Sequence, residues 1–179
     1  VIYADELARE VVKKGTVGLD EIVKAFGGGV LDDHGELDRK AVGARVFNDE
    51  AARKKLNGIV HPKVNALFLE RFLALVERGE ELVCYEVPLL VESGLAEGLR
   101  PVVVVAASEQ VQIRRAMERD GLDEAAARAR VRSQAPLEEK LKVADYVIEN
   151  DGSKAEVLKR TDEVALALKG WVRNLTTVH

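Results

Sequence analysis

The acidic side chains best placed for chemistry are Asp5, Glu86 and Glu92. Glu86 ends an apolar stretch, Leu82–Glu86, whose residues predict a buried strand, and Pro88 stops that strand because it lacks a backbone N–H. An unpaired carboxylate at the end of a buried strand is costly, so Glu86 needs a metal, a cation, a hydrogen bond or an exposed position at the rim of a site. The alternative is a core strand followed by an ordinary loop.

Asp5 and His61 each have a structural and a functional interpretation. Asp5 follows a strand-like start and could simply cap a helix that stops at Gly15. His61 could act as a general base or donate a hydrogen bond to a ligand. Beside Pro62 it could equally cap a helix or pack against the fold. The residues alone leave both choices open.

The richest positive cluster lies in residues 112–132. Arginine forks bind phosphate through two hydrogen bonds and stabilise the charge of a phosphoryl group in transfer. Acidic residues are interspersed, so ion pairs on a helix surface would occupy many of these side chains. We predict that two or three of the six face a ligand. The six are Arg114, Arg115, Arg119, Arg128, Arg130 and Arg132.

The elements that must position these side chains alternate between strands and helices. Strands are predicted at 82–86, at 100–106 with both faces buried, and at 146–149. This alternation predicts an α/β fold with a parallel sheet. The carboxyl ends of parallel strands line the ligand crevice of such folds. Glu86 and the Pro88–Gly94 loop are therefore predicted at the rim of a site.

Successive helices between the first strand fragment and the strand at 82–86 predict a helical insertion. Asp38 caps one helix, Asn48 caps the next, and His61-Pro62 opens a third, because proline is well placed in a first turn. The spacing of apolar residues from Leu19 to Phe26 predicts an amphipathic helix. At the other end of the chain, Thr176–His179 is predicted to be a frayed tail.

Composition narrows the class of protein. Of 179 residues, 47% are hydrophobic and 32% are charged, which permits a full core. The net charge of −4 does not favour a nucleic-acid or anionic-membrane partner. Cys84 is the only cysteine, which fits a reducing compartment. No apolar run is long enough to span a bilayer, so we predict a cytoplasmic location.

Read together, these segments resemble the dephospho-coenzyme A kinase family. Each fragment is weak by itself, but their joint order over almost the whole chain is specific. The matching pieces are Val1–Val12, Phe26-Gly27, Leu31, Gly35–Arg39, Val46-Phe47, His61-Pro62, Pro88–Leu90, Glu92, Gln112, Arg115, Arg119, Gln134, Ala144-Asp145, Asn150 and Gly152.

The resemblance implies a P-loop kinase-like fold, a parallel sheet flanked by helices, in a single domain over residues 1–179. A helical substrate-binding region would span residues 16–78, and lid-like helices would span residues 109–143. It also implies transfer of the ATP γ-phosphate to the ribose 3′-hydroxyl of dephospho-coenzyme A, the final step of coenzyme A synthesis, with Mg²⁺.

The resemblance also implies which residues form the site. The substrate side is assigned Arg9, His61, Glu86, Pro88, Leu89, Leu90 and Glu92. The nucleotide side is assigned Arg115, Arg119, Asn150 and Gly152. Catalytic roles are assigned to Asp5 and Arg115, and no residue is assigned to a metal.

Two departures from the family pattern keep alternatives open. The Gly-rich G-x-x-x-x-G-K-[ST] loop is missing from this sequence, so we expect an upstream strand, loop and helix of roughly 30 residues.

The second departure is in the first motif, because the family motif Asp-Ala-Asp reads Tyr3-Ala4-Asp5 here. A tyrosine, with a pKa near 10, is a poor base at neutral pH, so Asp5 or Glu86 would replace it. The alternatives are a related small-molecule or nucleotide kinase and a non-catalytic or degenerate coenzyme A-binding fragment.

Overall fold

A computed structural model describes residues 1–47 and 49–176, with side chains up to residue 172. The expected cap at Asn48 and the last three residues of the expected tail lie outside the described residues. The chain divides into two compact units, Val1–Pro88 and Leu89–His179. Among the described residues, no helix is long and apolar enough to cross a membrane.

The first unit is mainly helical and contains one short pair of strands. Its elements in chain order are β1 (Ile2–Tyr3), α1 (Ala4–Glu10), α2 (Val17–Phe26), a 3₁₀ turn (Gly28–Val30), α3 (Arg39–Phe47), α4 (Glu50–Glu77) and β2 (Tyr85–Glu86).

The second unit alternates strands with helices. Its elements in chain order are β3 (Val103–Ala106), α5 (Glu109–Asp120), α6 (Glu124–Arg132), α7 (Leu137–Lys142), β4 (Tyr146–Glu149) and α8 (Lys154–Thr176).

Both strand pairs are parallel, which confirms the predicted α/β class. In the first unit Tyr3 of β1 lies opposite Glu86 of β2. In the second unit β3 and β4 pair from Val103–Tyr146 to Ala106–Glu149. The predicted strand at 146–149 is confirmed, whereas the strand predicted at 82–86 is shorter. Only Tyr85 and Glu86 of that stretch face a partner strand, although Cys84 accepts a hydrogen bond from Ile2 N.

The core of the first unit is helical. Four buried residues, Val12, Ile22, Val30 and Val42, form one cluster, and apolar residues of α4 pack against it. Ile22 belongs to the apolar face predicted for the helix between Leu19 and Phe26, so this helix is confirmed. Thr16 caps it by accepting a hydrogen bond from Leu19 N at 3.2 Å.

The prediction that His61-Pro62 opens a separate helix is wrong. α4 runs unbroken through Pro62 for 28 residues, and its N-cap is Asp49, which accepts from Ala52 N. An interior proline costs about 3 kcal/mol because it removes one hydrogen bond and crowds the preceding turn. Tertiary contacts hold the helix on both sides of Pro62. Residues 56–60 pack on the core cluster, and Phe68 stacks on Tyr85.

The predicted capping role of Asp5 is also wrong. The N-cap of α1 is Tyr3, and Asp5 lies inside the first helical turn. α1 ends at Glu10 rather than near Gly15. Asp5 still stabilises α1, because a carboxylate in the first turn interacts favourably with the helix dipole.

The strand predicted to be buried on both faces is covered on one face only. Val102 and Ala106 are buried, whereas Val103 and Val105 are 36% and 58% exposed. Successive side chains of a strand point to opposite faces. The described contacts of the second unit therefore cover a single face of this strand.

Gly18, at the start of α2, has no room for a side chain. A Cβ placed there would lie 2.0 Å from the carbonyl oxygen of Val11, so Gly18→Ala must shift backbone. We expect this substitution to lower the free energy of unfolding by about 1–3 kcal/mol, measured by urea denaturation.

Gly43→Ala is the matched control, because a Cβ at this α3 position meets nothing within 4 Å. It should leave stability unchanged or raise it by about 0.5–1 kcal/mol, since alanine is the better helix former. Equal destabilisation by the two substitutions would contradict the steric argument.

Candidate functional site

In the first unit, two predicted acidic site residues lie at the carboxyl end of the same pair of strands. Glu86 ends β2 and lies opposite Tyr3, and Asp5 comes two residues after Tyr3, in the first turn of α1. Both carboxylate residues are exposed. The carboxyl end of this parallel pair thus carries two solvent-accessible carboxylates, and the place of Glu86 at the rim of a site stays a prediction.

The two basic candidates of this unit lie on helices that contact each other. Arg9 is exposed in the last turn of α1, and His61 is exposed in the middle of α4. Among the described residues, neither side chain has a hydrogen-bond or ion-pair partner within the protein. Both are therefore available to an anionic ligand.

Contacts beyond Pro62 fix the position of α4. Arg71 forms an ion pair with Glu10 of α1, and the rings of Phe68 and Tyr85 stack with centroids 4.2 Å apart. Partial burial raises the pKa of the Tyr85 hydroxyl above its usual value. These contacts connect α4 to both α1 and β2, the elements that carry Asp5 and Glu86.

The predicted substrate loop continues into the second unit as a series of tight turns. Pro88 ends the first unit. Leu89, which is 50% exposed, accepts a hydrogen bond from Ser93 N at 3.0 Å, and Leu90 accepts one from Leu95 N at 3.2 Å. The loop therefore presents Leu89 to solvent while its backbone is internally bonded.

Glu92 differs from the rest of the loop because its carboxylate has protein partners. It accepts a hydrogen bond from Ala135 N at 2.7 Å, and Lys140 Nζ lies 3.7 Å away. Partial burial acts to raise the pKa of Glu92, but these partners outweigh it and hold the pKa below the usual value.

Two predicted nucleotide-binding arginines, Arg115 and Arg119, line one cavity. The cavity measures about 620 Å³ and lies along α5 and α6. Its lining also includes Arg130, a third arginine of the predicted cluster, and the two amide side chains Gln112 and Gln134. The four-residue spacing of Arg115 and Arg119 on α5 places both side chains on one face of the helix.

Ion pairs distinguish Arg115 from most of the arginine cluster. Arg119 and Arg130 both contact Asp120, while Arg128 pairs with Glu124 and Arg132 with Glu109. A hydrogen bond from Arg119 holds the pKa of Asp120 below its ordinary value. Among the described residues, Arg114 and Arg115 alone of the six have no ion pair, and only Arg115 of these two lines this cavity. Arg115 is therefore the arginine best prepared to meet an anion there.

The loop after β4 contacts the start of α5 through Asp151. Asn150 N donates to Ala106 O at 2.7 Å. Asp151 Oδ1 accepts from Ser108 N at 2.8 Å and from Ser108 Oγ at 2.9 Å. Gly152 lies next to it, and a Cβ there would lie 2.5 Å from Glu156 Oε2, so a larger residue would displace the Glu156 carboxylate. Sequence reasoning named Asn150 and Gly152 and missed Asp151, whose partner lies 43 residues away.

Asp151→Asn should lower the thermal midpoint near neutral pH. The Ser108 N–H, followed by the Ser108 hydroxyl, holds the pKa of Asp151 below its ordinary 3.8. A carboxylate whose pKa is lower in the folded state stabilises the fold at pH values above its unfolded-state pKa. This stabilisation is lost as the pH falls through its folded-state pKa. The difference in midpoint between wild type and Asp151→Asn should therefore close below about pH 4, as measured by calorimetry.

Asp162→Asn provides the control for that series, because Asp162 is exposed on α8 and has no polar partner among the described residues. Its midpoint should follow the wild type at every pH. A difference for Asp151→Asn that stays constant down to pH 2 would contradict an ionic role for this carboxylate.

Protein ligands for a metal are sparse. No group of three or more His, Cys, Asp or Glu side chains among the described residues is arranged to hold an ion. Magnesium in nucleotide sites usually needs only one or two carboxylates, with phosphate and water completing its shell. The exposed carboxylates of Asp5 and Glu86, at the carboxyl end of β1 and β2, fit that limited requirement.

Comparison with known proteins gives one consistent result. A family model described as "Dephospho-CoA kinase" matches residues 1–156. The dephospho-CoA kinase of Geobacillus kaustophilus is 47% identical over 171 residues, covering 96% of this chain and 84% of the relative. That of Syntrophotalea carbinolica is 45% identical over 168 residues, covering 94% and 78%.

Solved structures agree with the sequence relatives. A crystal structure from Thermus thermophilus superposes with a TM-score of 0.77 at 35% identity, covering 93% of this chain and 82% of that one. The dephospho-CoA kinase of Campylobacter jejuni superposes with a TM-score of 0.67 at 34% identity, covering 94% and 84%.

Proposed function

The chain belongs to the dephospho-CoA kinase family, and on that premise we propose which of its residues perform the reaction. The family is one of transferases that use ATP and catalyse the final step of coenzyme A biosynthesis. The single observation that carries the function is the family match over residues 1–156. Neither a related nucleotide kinase nor a non-catalytic coenzyme A-binding fragment is favoured by these relatives.

In the proposed reaction, the ribose 3′-hydroxyl oxygen of dephospho-CoA attacks the γ-phosphorus of ATP. The bond between the γ-phosphorus and the β,γ-bridging oxygen breaks, ADP leaves, and the hydroxyl proton passes to a carboxylate. We assign that carboxylate to Asp5, because it is the one carboxylate left where the family motif Asp-Ala-Asp reads Tyr3-Ala4-Asp5. Glu86 lies opposite Tyr3 and is assigned to the acceptor substrate.

The remaining acceptor contacts are proposed from charge and exposure. Arg9 and His61 are exposed and without a protein partner among the described residues, which suits them to the anionic groups of a coenzyme A precursor. Pro88, Leu89 and Leu90 follow β2 in the sequence and offer apolar surface to the same ligand. We further propose that residues 16–78 form the acceptor-binding region and that residues 109–143 form a lid, all within a single kinase domain, residues 1–179.

For the nucleotide we propose contacts in the second unit. Arg115 and Arg119 line the same cavity, and their forks match phosphate oxygens. Asn150 and Gly152 follow β4 at its carboxyl end, where parallel α/β folds bind ligands, and we assign them to adenine.

When bound, magnesium would neutralise phosphate charge. We propose that it enters with ATP, held mainly by phosphate and water. A cytoplasmic location and the absence of nucleic-acid partners complete the proposal.

The direct test is phosphoryl transfer in the full-length natural protein. Incubation with γ-labelled ATP and dephospho-CoA should move the label to coenzyme A, detected by chromatography and mass spectrometry. Nucleoside monophosphates offered in its place should remain unlabelled. Preferential labelling of a nucleoside monophosphate would overturn the assignment of the acceptor.

A further inference from the structure

Glu92 connects two segments that are distant in the sequence. Its carboxylate accepts from Ala135 N at 2.7 Å and lies 3.7 Å from Lys140 Nζ. The same Lys140 ammonium donates to Gln134 Oε1 at 2.8 Å. Gln134 lines the cavity that contains Arg115. A short chain of polar contacts thus leads from the Leu89–Gly94 turns to the wall of the arginine cavity.

Burial distinguishes the contact between Glu92 and Lys140 from an exposed ion pair nearby. The Glu92 and Lys140 side chains retain 25% and 21% of their accessible surface, whereas the pair formed by Lys142 and Glu139 retains 67% and 52%. A half-buried ion pair is screened less by water and salt than an exposed one. The lowered pKa of Glu92 agrees with a carboxylate that is stabilised by its partners.

The hydrogen bond from Lys140 also determines which part of the Gln134 amide can bind a ligand. Because Lys140 can only donate hydrogen bonds, it must be bonded to the carbonyl oxygen of the Gln134 amide. The amide NH₂ group of Gln134 is then left as a donor for a group bound in the cavity. An NH₂ donor suits the oxygens of a phosphate, as do the neighbouring arginines.

We propose that Glu92 is a positioning residue that couples occupancy of the arginine cavity to the conformation of the Leu89–Gly94 turns. It acts through Ala135, Lys140 and Gln134, and it does not touch the reacting atoms. The proposal rests on the assignment of the cavity to ATP and of the turns to dephospho-CoA. Coupling of this kind is reciprocal, so each substrate should tighten the site of the other by the same factor.

Hydrogen–deuterium exchange can measure the coupling without any turnover. In the wild type, a non-hydrolysable ATP analogue should slow exchange in residues 89–95, and dephospho-CoA should slow exchange in residues 130–136. Glu92→Ala should abolish both of these remote effects and speed exchange of the Ala135 amide. Each ligand should still protect its own contact residues.

Steady-state kinetics provide a second test. If Glu92 only stabilised the fold, its substitution would not change how the KM for dephospho-CoA depends on the ATP concentration. The KM for dephospho-CoA in the wild type should fall as ATP rises towards saturation, by about tenfold. In Glu92→Ala and in Lys140→Met this dependence should vanish, and the double variant should add nothing to either single variant. Glu138→Ala is the matched control, since Glu138 is exposed on α7 and has no polar partner among the described residues; it should retain the full dependence.

The outcomes separate the coupling from the function on which it rests. Remote protection that persists in Glu92→Ala, or that is missing from the wild type, would overturn the coupling. A wild type that shows remote protection with both ligands but transfers no phosphate would overturn the proposed function while leaving the coupling in place.

Discussion

Arg115→Ala should lower kcat for phosphorylation of dephospho-CoA by about 100- to 1,000-fold, the usual cost of removing one donor that stabilises charge in the transition state. Arg115 lines the cavity between α5 and α6, and it has no ion pair among the described residues. Its charge helps to lower the pKa of Asp151, but the two side chains form no ion pair, so the guanidinium group can still meet the phosphoryl oxygens. Steady-state kinetics with both substrates saturating would measure the change.

Substitution of two further arginines tests whether loss of a positive charge alone lowers kcat. Arg114→Ala removes the same charge from the adjacent exposed position on α5, which does not line this cavity, and it should leave kcat within a factor of about two. Arg119→Ala should have an intermediate effect, because Arg119 already bonds to Asp120 through Nε at 2.9 Å and Nη2 at 2.8 Å. Equal losses for Arg114→Ala and Arg115→Ala would indicate a general effect of charge and would refute the assigned role of Arg115.

Asp5→Asn should lower kcat by about 100-fold or more, the usual contribution of a positioned base. Asparagine keeps the size and shape of the side chain but cannot accept the proton of the 3′-hydroxyl. Asp5 is exposed in the first turn of α1, next to the carboxyl end of β1, so the substitution should disturb stability little. Rapid-quench measurement of a single turnover would separate the chemical step from product release.

Glu6→Gln is the matched control for Asp5→Asn. Glu6 shares the first turn of α1 and hence the same favourable interaction with the helix dipole, but it carries no proposed role. Its kcat should stay near the wild-type value. If Asp5→Asn retains wild-type kcat while Glu86→Gln loses it, the base is Glu86, and the assignment to Asp5 is wrong.

Local sequence patterns predicted much of the secondary structure because the physical causes are local. The amphipathic spacing from Leu19 to Phe26 was enough to predict α2, since one face of a helix must be buried. Asp38 is predicted as a cap, and its carboxylate accepts hydrogen bonds from the backbone N–H groups of Lys40 and Ala41. Ser153 and Glu156 have the spacing of a capping box, and each does bond to the other.

Patterns failed where distant contacts decide the outcome. Pro62 reads as the start of a helix, yet α4 continues through it because packing on both sides outweighs the cost. The stretch 100–106 reads as buried on both faces, yet Val105 is 58% exposed. Hydrophobic composition indicates that a strand can be buried, but only its neighbours determine which face is covered.

The candidate site shows the same division. Residue type and order along the chain were enough to name Arg115, Asp5 and the family resemblance, because the chemistry of each side chain is a property of the residue itself. Whether an arginine is available to a ligand depends on the fold: within the described part of the chain Arg115 forms no ion pair, while Asp120 binds Arg119 and Arg130. The contacts of Glu92 and Asp151 each join residues 43 positions apart. No local pattern encodes such pairs, since only the folded backbone brings their atoms within hydrogen-bonding distance.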